Sequence, residues 1–205
     1  MQYAFHFLNK LATDGATMAT ERILDLSANK KRKFRKHDPE FDLCEPFDTL
    51  DKKKPPVIVC IGSDLAIGDC LGPITGSMLK YKTQGLPVFI YGTLGAPVTA
   101  KEIKYMRAFL KETHERSPVL AVDAAVGESG DIGLIKFNDS PLFPGTGANK
   151  KLGAVGDACI MGVVAEKSVS NYALLNTTRL HLVYSMSEII SDALASVLWE
   201  RCSSA

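Results

Sequence analysis

The chain has 205 residues, of which 46% are hydrophobic and 23% charged, and its formal net charge is +1. This composition is typical of a globular protein with room for one substantial α/β domain, and it excludes an overall charge that would attract nucleic acid or an anionic membrane. The five cysteines are widely spaced without a CxxC pair, so we expect a reducing, cytoplasmic compartment and no disulfide framework. No run approaches the roughly 18 apolar residues of a membrane span, and no secretion signal is predicted.

The first 55 residues differ in character from the rest and are interpreted as an N-terminal extension, partly helical or mobile. Short helices are predicted at residues 1–11 and 18–26. The basic run Lys30–His37 is followed by acidic residues up to Asp51, and this near balance of charge favours a solvated segment over a nucleic-acid contact. Residues 56–205 are expected to form the α/β domain.

From Pro56 onward, patterns of buried strands and amphipathic helices alternate along the chain. Strands are predicted at 56–61, 87–91, 118–122, 133–137, 158–165 and 179–184, and helices at 71–81, 100–115 and 186–201. This alternation favours a three-layer α/β/α fold with a mainly parallel sheet. Right-handed crossovers then bring the loops that follow the first three strands to one side of the sheet.

Two carboxylates stand where the predicted strands end. Asp69 lies in the turn after the first strand, and Asp123 ends the third. Two neighbouring carboxylates in a cleft of low dielectric can share a proton, because their proximity raises one pKa and leaves an acid beside a base. The alternative is structural: Asp69 caps the following helix and Asp123 fixes a turn. Spacing alone leaves both interpretations open.

Further residues are candidates for substrate binding around this pair. They share the turn with Asp69, follow the second strand, precede the fifth strand, or belong to a glycine-rich stretch that exposes backbone N–H groups without Walker A spacing. A lid over the acidic cleft and an anion cradle are both open interpretations of that stretch. The candidates are Asp64, Gly68, Gly92, Thr93, Gly145, Thr146, Gly147, Lys150 and Asp157.

Neither a metal site nor a cofactor is predicted. The four histidines are scattered without HExxH or paired spacing, and GxSxG does not occur at a strand-to-helix turn. Cys70 adjoins Asp69, but no histidine stands beside it in the sequence to activate a thiol. A hard cation such as Mg²⁺ held by Asp64, Asp69 and Asp123 is the less favoured alternative.

Six short motifs occur in order along the chain: Ile61–Asp64, Gly68–Pro73, Tyr91–Leu94, Val122–Ala124, Pro144–Gly147 with Lys150, and Val155–Asp157. Together they resemble the YyaC family of sporulation proteins. That family is similar to the germination protease of spores and, more distantly, to the hydrogenase-maturation endopeptidases. The resemblance covers about residues 56–203 and implies a fold of the phosphorylase/hydrolase-like, hydrogenase-maturation-protease type.

The resemblance implies roles for the two aspartates. One essential aspartate of the germination protease opens an Asp-Ala-Leu-Gly-Pro motif, matched at Asp69, and the other lies in Val-Asp-Ala, matched at Asp123. The hydrogenase-maturation enzymes add a histidine to a nickel-sensing triad, and this chain has no histidine between Asp123 and His181.

The resemblance therefore implies a two-aspartate endopeptidase that cuts a protein or peptide substrate during sporulation or germination, in the cytoplasm of the sporulating cell or forespore. The alternative is a catalytically inactive binding or regulatory sporulation protein on the same scaffold. Neither nucleic acid nor a membrane is an expected partner, and the sequence leaves a homo-oligomer open.

Overall fold

The structure is a computed structural model that describes residues 2–35, 54–145, 152–167 and 178–203. Its strands are β1 (Gln2–His6), β2 (Val57–Cys60), β3 (Phe89–Tyr91), β4 (Val119–Gly127), β5 (Leu134–Asn138) and β6 (Ala158–Glu166). Its α-helices are α1 (Ala12–Arg35), α2 (Leu71–Lys82), α3 (Ile103–Thr113) and α4 (Leu180–Ser203). Short 3₁₀ turns occupy Ile67–Cys70 and Ser129–Asp131.

The six strands form one sheet in the order β1-β5-β6-β4-β2-β3. The four strands β6, β4, β2 and β3 run parallel, whereas β5 and β1 add an antiparallel edge. β2 is buried at every position, as expected of a parallel strand covered on both faces. The predicted α/β fold with a mainly parallel sheet is confirmed.

Helices cover both faces of the sheet. On one face α1, α2 and α4 pack over alternate strand residues that include Ile58, Leu120 and Ile160. On the other face α3 packs with Leu110 over a second set that includes Val57 and Ala121. The alternation of side chains along each strand thus supplies two hydrophobic cores, one on each side of the sheet.

α4 is a core helix of the larger layer. Residues Leu180–Cys202 have a mean hydropathy of 1.2, which by length and composition alone would allow the helix to cross a membrane. Val183, Ile190 and Leu194 are nevertheless fully buried in the core that faces the sheet. Because 56% of this apolar window lies inside the structure, burial against α1, α2 and the sheet accounts for its hydropathy.

The prediction of a helix at residues 1–11 is wrong. Residues 2–6 form β1, which pairs antiparallel with β5 in the register Gln2 to Asn138. Five residues with a half-buried face carry little periodicity of their own, and the partner strand that fixes their conformation lies far along the chain.

The interpretation of residues 1–55 as an extension beside the domain is also wrong for residues 2–35. Helix α1 places Ala16, Ile23 and Leu24 in the same core as the sheet. Their burial makes this region part of the α/β unit. Residues 36–53, with most of the acidic stretch, lie outside the described residues, and the proposed boundary at residue 55 stays a prediction.

The predicted strand at 179–184 is wrong as well, because these residues open helix α4. The alternation of apolar residues in this segment favoured a strand. In the structure Val183 is buried, whereas Leu180 and Tyr184 are exposed. The buried positions Val183, Met186, Ile190 and Leu194 continue at helical spacing, so packing of the whole helix face decides the conformation.

Candidate functional site

A tightly closed turn follows β2 and carries the first carboxylate. The Ser63 N–H donates to the Asp69 carbonyl at 3.2 Å, and the Asp69 N–H donates to the Ala66 carbonyl at 2.9 Å. The Cys70 thiol donates to the Ser63 carbonyl at 3.4 Å. These bonds hold residues 63–70 as one compact loop with Asp69 at its closing end.

Glycine allows α2 to start directly against the end of β2. A Cβ at Gly72 would overlap the Ile61 carbonyl, which is backbone and has no freedom to move aside. Cys70 is the N-cap residue of α2, and no side chain makes a cap hydrogen bond there. Asp69 therefore does not cap the helix, and the structural alternative for this residue is wrong.

The loop after β3 lies beside the loop after β2. The Gly62 N–H donates to the Val98 carbonyl at 3.0 Å, and Ile61 forms a parallel bridge with Val98. Gly92 has a positive φ of 86°, and a Cβ there would overlap the Cys60 carbonyl. The predicted convergence of these two loops at the carboxyl ends of the parallel strands is therefore present, and it includes Gly68, Gly92 and Thr93.

Asp123 lies on β4 one residue beyond the last pair with β2, which joins Cys60 to Val122. Its side chain is only 9% exposed, and its Oδ1 accepts the Ala124 N–H at 2.8 Å. Burial raises the pKa of Asp123 well above its usual range, and the nearby charge of Asp69 raises it further. The structure thus brings Asp69 and Asp123 within electrostatic reach of each other.

The two carboxylates differ in how strongly they hold a proton. Burial raises the pKa of Asp69, and a backbone hydrogen bond from Ser63 partly opposes that shift. The pKa of Asp123 is the more strongly raised, because Asp123 is more deeply buried and faces the charge of its neighbour. The two groups therefore titrate as a pair, in which one carboxyl group can keep its proton while the other is ionised.

Two thiols border the carboxylates without the means to act as nucleophiles. Burial, together with the charges of Asp64 and Asp69, raises the pKa of Cys70. Burial raises the pKa of Cys159 to about 11, and the Asp123 charge acts in the same direction. Since the thiolate is the reactive form, both residues are inert thiols near neutral pH.

Sequence reasoning missed Cys159 and the Ala124 N–H as neighbours of the pair. Cys159 lies on β6, which pairs with β4 so that Asp123 faces Met161. Only the order of the strands in the sheet reveals this proximity. The Ala124 contact depends on the local backbone at Asp123, for which the sequence carries no separate signal.

Asp157 is not brought to this site, contrary to the prediction. Its Oδ2 accepts the Val119 N–H at 2.8 Å, and its own N–H donates to the Val119 carbonyl at 2.7 Å. It therefore clamps the amino end of β4, about 13 Å along the strand from Asp123 at 3.3 Å per residue.

The glycine-rich stretch is described only in part. Leu142 and Val155 form an antiparallel bridge that anchors it, and Gly145 has a positive φ of 74°. The other predicted contacts in this stretch, Thr146, Gly147 and Lys150, lie outside the described residues and stay predictions.

The part of the chain that the structure describes contains no group of three or more His, Cys, Asp or Glu side chains that could hold a metal ion. Asp64 lies exposed on the turn and does not join Asp69 and Asp123 in such a set. Two carboxylates alone fall short of the six or more oxygen ligands of a hard cation unless water supplies the rest.

Two chains of solved structures are similar to this chain, and one of them is a maturation protease. The crystal structure of a [NiFe] hydrogenase maturation protease HycI from Thermococcus kodakarensis KOD1 is 19% identical, with a TM-score of 0.46 over 72% of this chain and 94% of that chain. The fold assignment above rests on the strands and helices themselves.

Sequence comparison gives a nearer relative. The uncharacterized protein YyaC of Bacillus subtilis (strain 168) is 39% identical over 142 residues, which is 69% of this chain and 69% of that protein. The resemblance to YyaC proteins is confirmed, whereas the link to sporulation and to peptidase activity stays a prediction. A family model described as "protein of unknown function (DUF1256)" matches residues 37–193. With three quarters of its length inside that match, the chain belongs to the DUF1256 family.

Proposed function

We propose that the protein is a peptidase that cuts a protein substrate with Asp69 and Asp123 as its catalytic pair. The observation that carries this proposal is their placement where β4 passes beyond the carboxyl end of β2, so that the charge of Asp69 raises the pKa of Asp123. Two carboxylates whose environments separate their proton affinities are suited to serve as base and acid. The sporulation or germination setting and the cytoplasmic location are part of the proposal and rest on the motif resemblance.

Each carboxylate takes the role that its environment favours. Asp69, the less buried of the two, is the base that orients and deprotonates a water molecule. Asp123 is the acid, because burial and the neighbouring charge keep its proton on. The Ala124 N–H occupies Oδ1 of Asp123, which leaves Oδ2 to carry the proton toward the substrate.

The reaction needs only a peptide bond and water. The water oxygen bonds to the scissile carbonyl carbon while its proton passes to Asp69 and the Asp123 proton passes to the carbonyl oxygen. The tetrahedral intermediate then breaks its C–N bond, as Asp69 delivers its proton to the amine and the new hydroxyl returns a proton to Asp123. Both carboxyl groups regain their starting states, and the products are an acid and an amine.

The proposed mechanism uses no metal ion. It is supported by the donor set, since the described residues around the pair provide two carboxylates and protonated thiols in place of a full ligand shell. Addition of EDTA should leave the activity unchanged. Loss of activity with EDTA and recovery with Mg²⁺ would instead support the metal-dependent alternative.

The test is cleavage of an acid-soluble protein extract of spores by the purified full chain, followed by mass spectrometry of the fragments. Wild type should give discrete fragments that are absent with Asp69→Asn and with Asp123→Asn. Asp192→Asn is the matched control, because it removes a carboxylate that pairs with Lys82 at 2.6 Å on the outer helical layer.

Circular dichroism and thermal unfolding establish that each variant is folded. If folded wild type cuts nothing in the extract or in denatured casein across pH 4–8, the peptidase proposal fails. A binding or regulatory role on the same scaffold then becomes the better account.

A further inference from the structure

The turn that carries Asp69 also holds apolar side chains out to solvent. Leu65 is 90% exposed at the tip of the turn, and Ile67 is 37% exposed just before Gly68 and Asp69. Leu94, 44% exposed, extends from the neighbouring loop after β3. Leu65 and Ile67 belong to the turn that carries Asp69, and Leu94 belongs to the loop that adjoins it through the Gly62 and Val98 backbone. We call these three exposed side chains the apolar rim.

The backbone under the apolar rim is fixed, so its exposure is a built feature of the loops. The Leu65 N–H donates to the Ser63 Oγ at 3.2 Å, and the Leu94 N–H donates to the Ser77 Oγ at 2.9 Å. The bonds that close residues 63–70 hold Leu65 four residues from Asp69 in a compact loop. Because the backbone at Leu65 is already fixed, contact of its side chain with an apolar group costs little further backbone entropy.

Charge accompanies this apolar surface. Asp64 is exposed next to Leu65 and forms no ion pair among the described residues. The turn of residues 63–70 contains two carboxyl groups, Asp64 and Asp69, and no basic residue. A ligand that lies along the turn therefore meets an apolar contact and a negative charge at adjacent positions.

We propose that the turn Ser63–Ile67 is the specificity element of the site, and that it receives an extended segment of substrate in which a basic residue adjoins an apolar one. The apolar side chain packs on the apolar rim, and the basic side chain pairs with Asp64. This proposal rests on the proposed function for its location beside the catalytic pair. It adds the class of segment that the site accepts.

The test measures peptide binding and does not depend on cleavage. Three fluorescein-labelled peptides of twelve residues share a Gly-Ser framework and carry Lys-Leu, Glu-Leu or Lys-Ser at the centre. Fluorescence anisotropy with the full chain should give the tightest binding for Lys-Leu, and Leu65→Ser should weaken it about tenfold, since a leucine contact is lost. Asp64→Asn should weaken binding of the Lys-Leu peptide and leave the Glu-Leu peptide unweakened.

Leu8→Ser is the matched control, because Leu8 is also highly exposed. It follows β1, which lies four strands from β2 and hence about 19 Å away across the sheet. The control should bind the Lys-Leu peptide as wild type does. Equal Kd values for the three peptides, or equal losses in Leu65→Ser and Leu8→Ser, would overturn the inference.

The same samples separate the inference from the proposed function. If binding depends on Leu65 but mass spectrometry finds every peptide uncut, the specificity element stands and the peptidase proposal is weakened. If peptides are cut at the same rates by wild type, Leu65→Ser and Asp64→Asn, the peptidase proposal stands and the inference fails.

Discussion

Two aspartates accept backbone N–H groups of β4, one at its amino end and one near its middle, but with different consequences. At the amino end, Asp157 accepts the Val119 N–H and returns its own N–H to the Val119 carbonyl, which completes a local clamp. Near the middle of β4, just beyond its last pair with β2, Asp123 accepts the Ala124 N–H while buried beside the charge of Asp69. An aspartate that accepts a strand N–H is thus structural at one position and a candidate acid at the other, and the second carboxylate makes the difference.

The largest expected effect concerns the activity that we propose for Asp69 and Asp123 as a pair. Asp69→Asn and Asp123→Asn should each lower kcat/KM for the fragments found in the spore extract by about 10²–10⁴-fold, because each removes one proton-transfer group. The double variant should be little worse than either single variant, since the two groups act as a unit. Losses that multiply in the double variant would contradict a shared mechanism.

The next effect concerns the backbone that brings the carboxyl-end loops together. Gly92→Ala should lower the free energy of unfolding by more than about 3 kcal/mol, because its φ is positive and a Cβ would overlap the Cys60 carbonyl. Gly95→Ala is the matched control three residues on, where a Cβ would meet no atom within 4 Å. Urea unfolding curves measure both, and equal losses would contradict the close approach of the two loops.

A smaller effect is expected at the amino end. Asp157→Ala should lower the free energy of unfolding by about 1–3 kcal/mol, because the buried strand end loses the acceptor of the Val119 N–H. Asp157→Asn keeps an acceptor oxygen and should lose less. If the alanine variant is as stable as wild type in urea unfolding, the clamp does not hold this end of β4.

The smallest effect is a pH dependence of the free energy of unfolding that arises from Asp123 and not from Asp157. The folded pKa of Asp123 lies well above its ordinary value of 3.8, so the folded state binds the proton more tightly than the unfolded state. Its contribution to stability is therefore fully present below about pH 4 and is lost as pH rises through the folded pKa.

Asp123→Asn should remove this decrease in the free energy of unfolding with rising pH, which is at most about 1.4 kcal/mol per pH unit for one proton. Urea unfolding at a series of pH values from 4 to 8 measures it. The fall should persist in Asp157→Ala. A wild-type stability that rises across this range, with no difference in Asp123→Asn, would place Asp123 in an ordinary carboxylate environment.

Most of the parallel core could be predicted from the sequence. The strands β2, β4 and β6 are apolar runs, and the helices between β2 and β4 show apolar stripes, so local pattern and tertiary burial agree. β1 and the start of α4 could not be predicted in the same way. Gln2–His6 becomes a strand through its pairing with Leu134–Asn138, and Leu180 becomes helical through the packing of residues that come later in the chain.

The same distinction between local pattern and distant packing applies to the residues of the candidate site. Asp69 follows β2, and Asp123 lies on β4 just beyond the last residue that pairs with β2. The sequence identifies both strands, and parallel neighbours present these positions at the same side of the sheet, so the approach of the two residues was predictable. Asp157 shows the limit of that reasoning, because it precedes its strand and so faces the other edge of the sheet. The apolar rim was missed because an exposed leucine in a turn has no signal of its own before the loop is built.

The pairing of the first strand with a late one sets the order in which this protein becomes complete. β1 and α1 are synthesised well before their partners, the strand β5 and the helix α4. Asp25 on α1 pairs with Arg201 on α4, so the helical layer closes only after α4 has been synthesised. The apolar face of α1 therefore stays uncovered until α4 has been synthesised. A chain that stops before α4 would expose that face to chaperones and proteases.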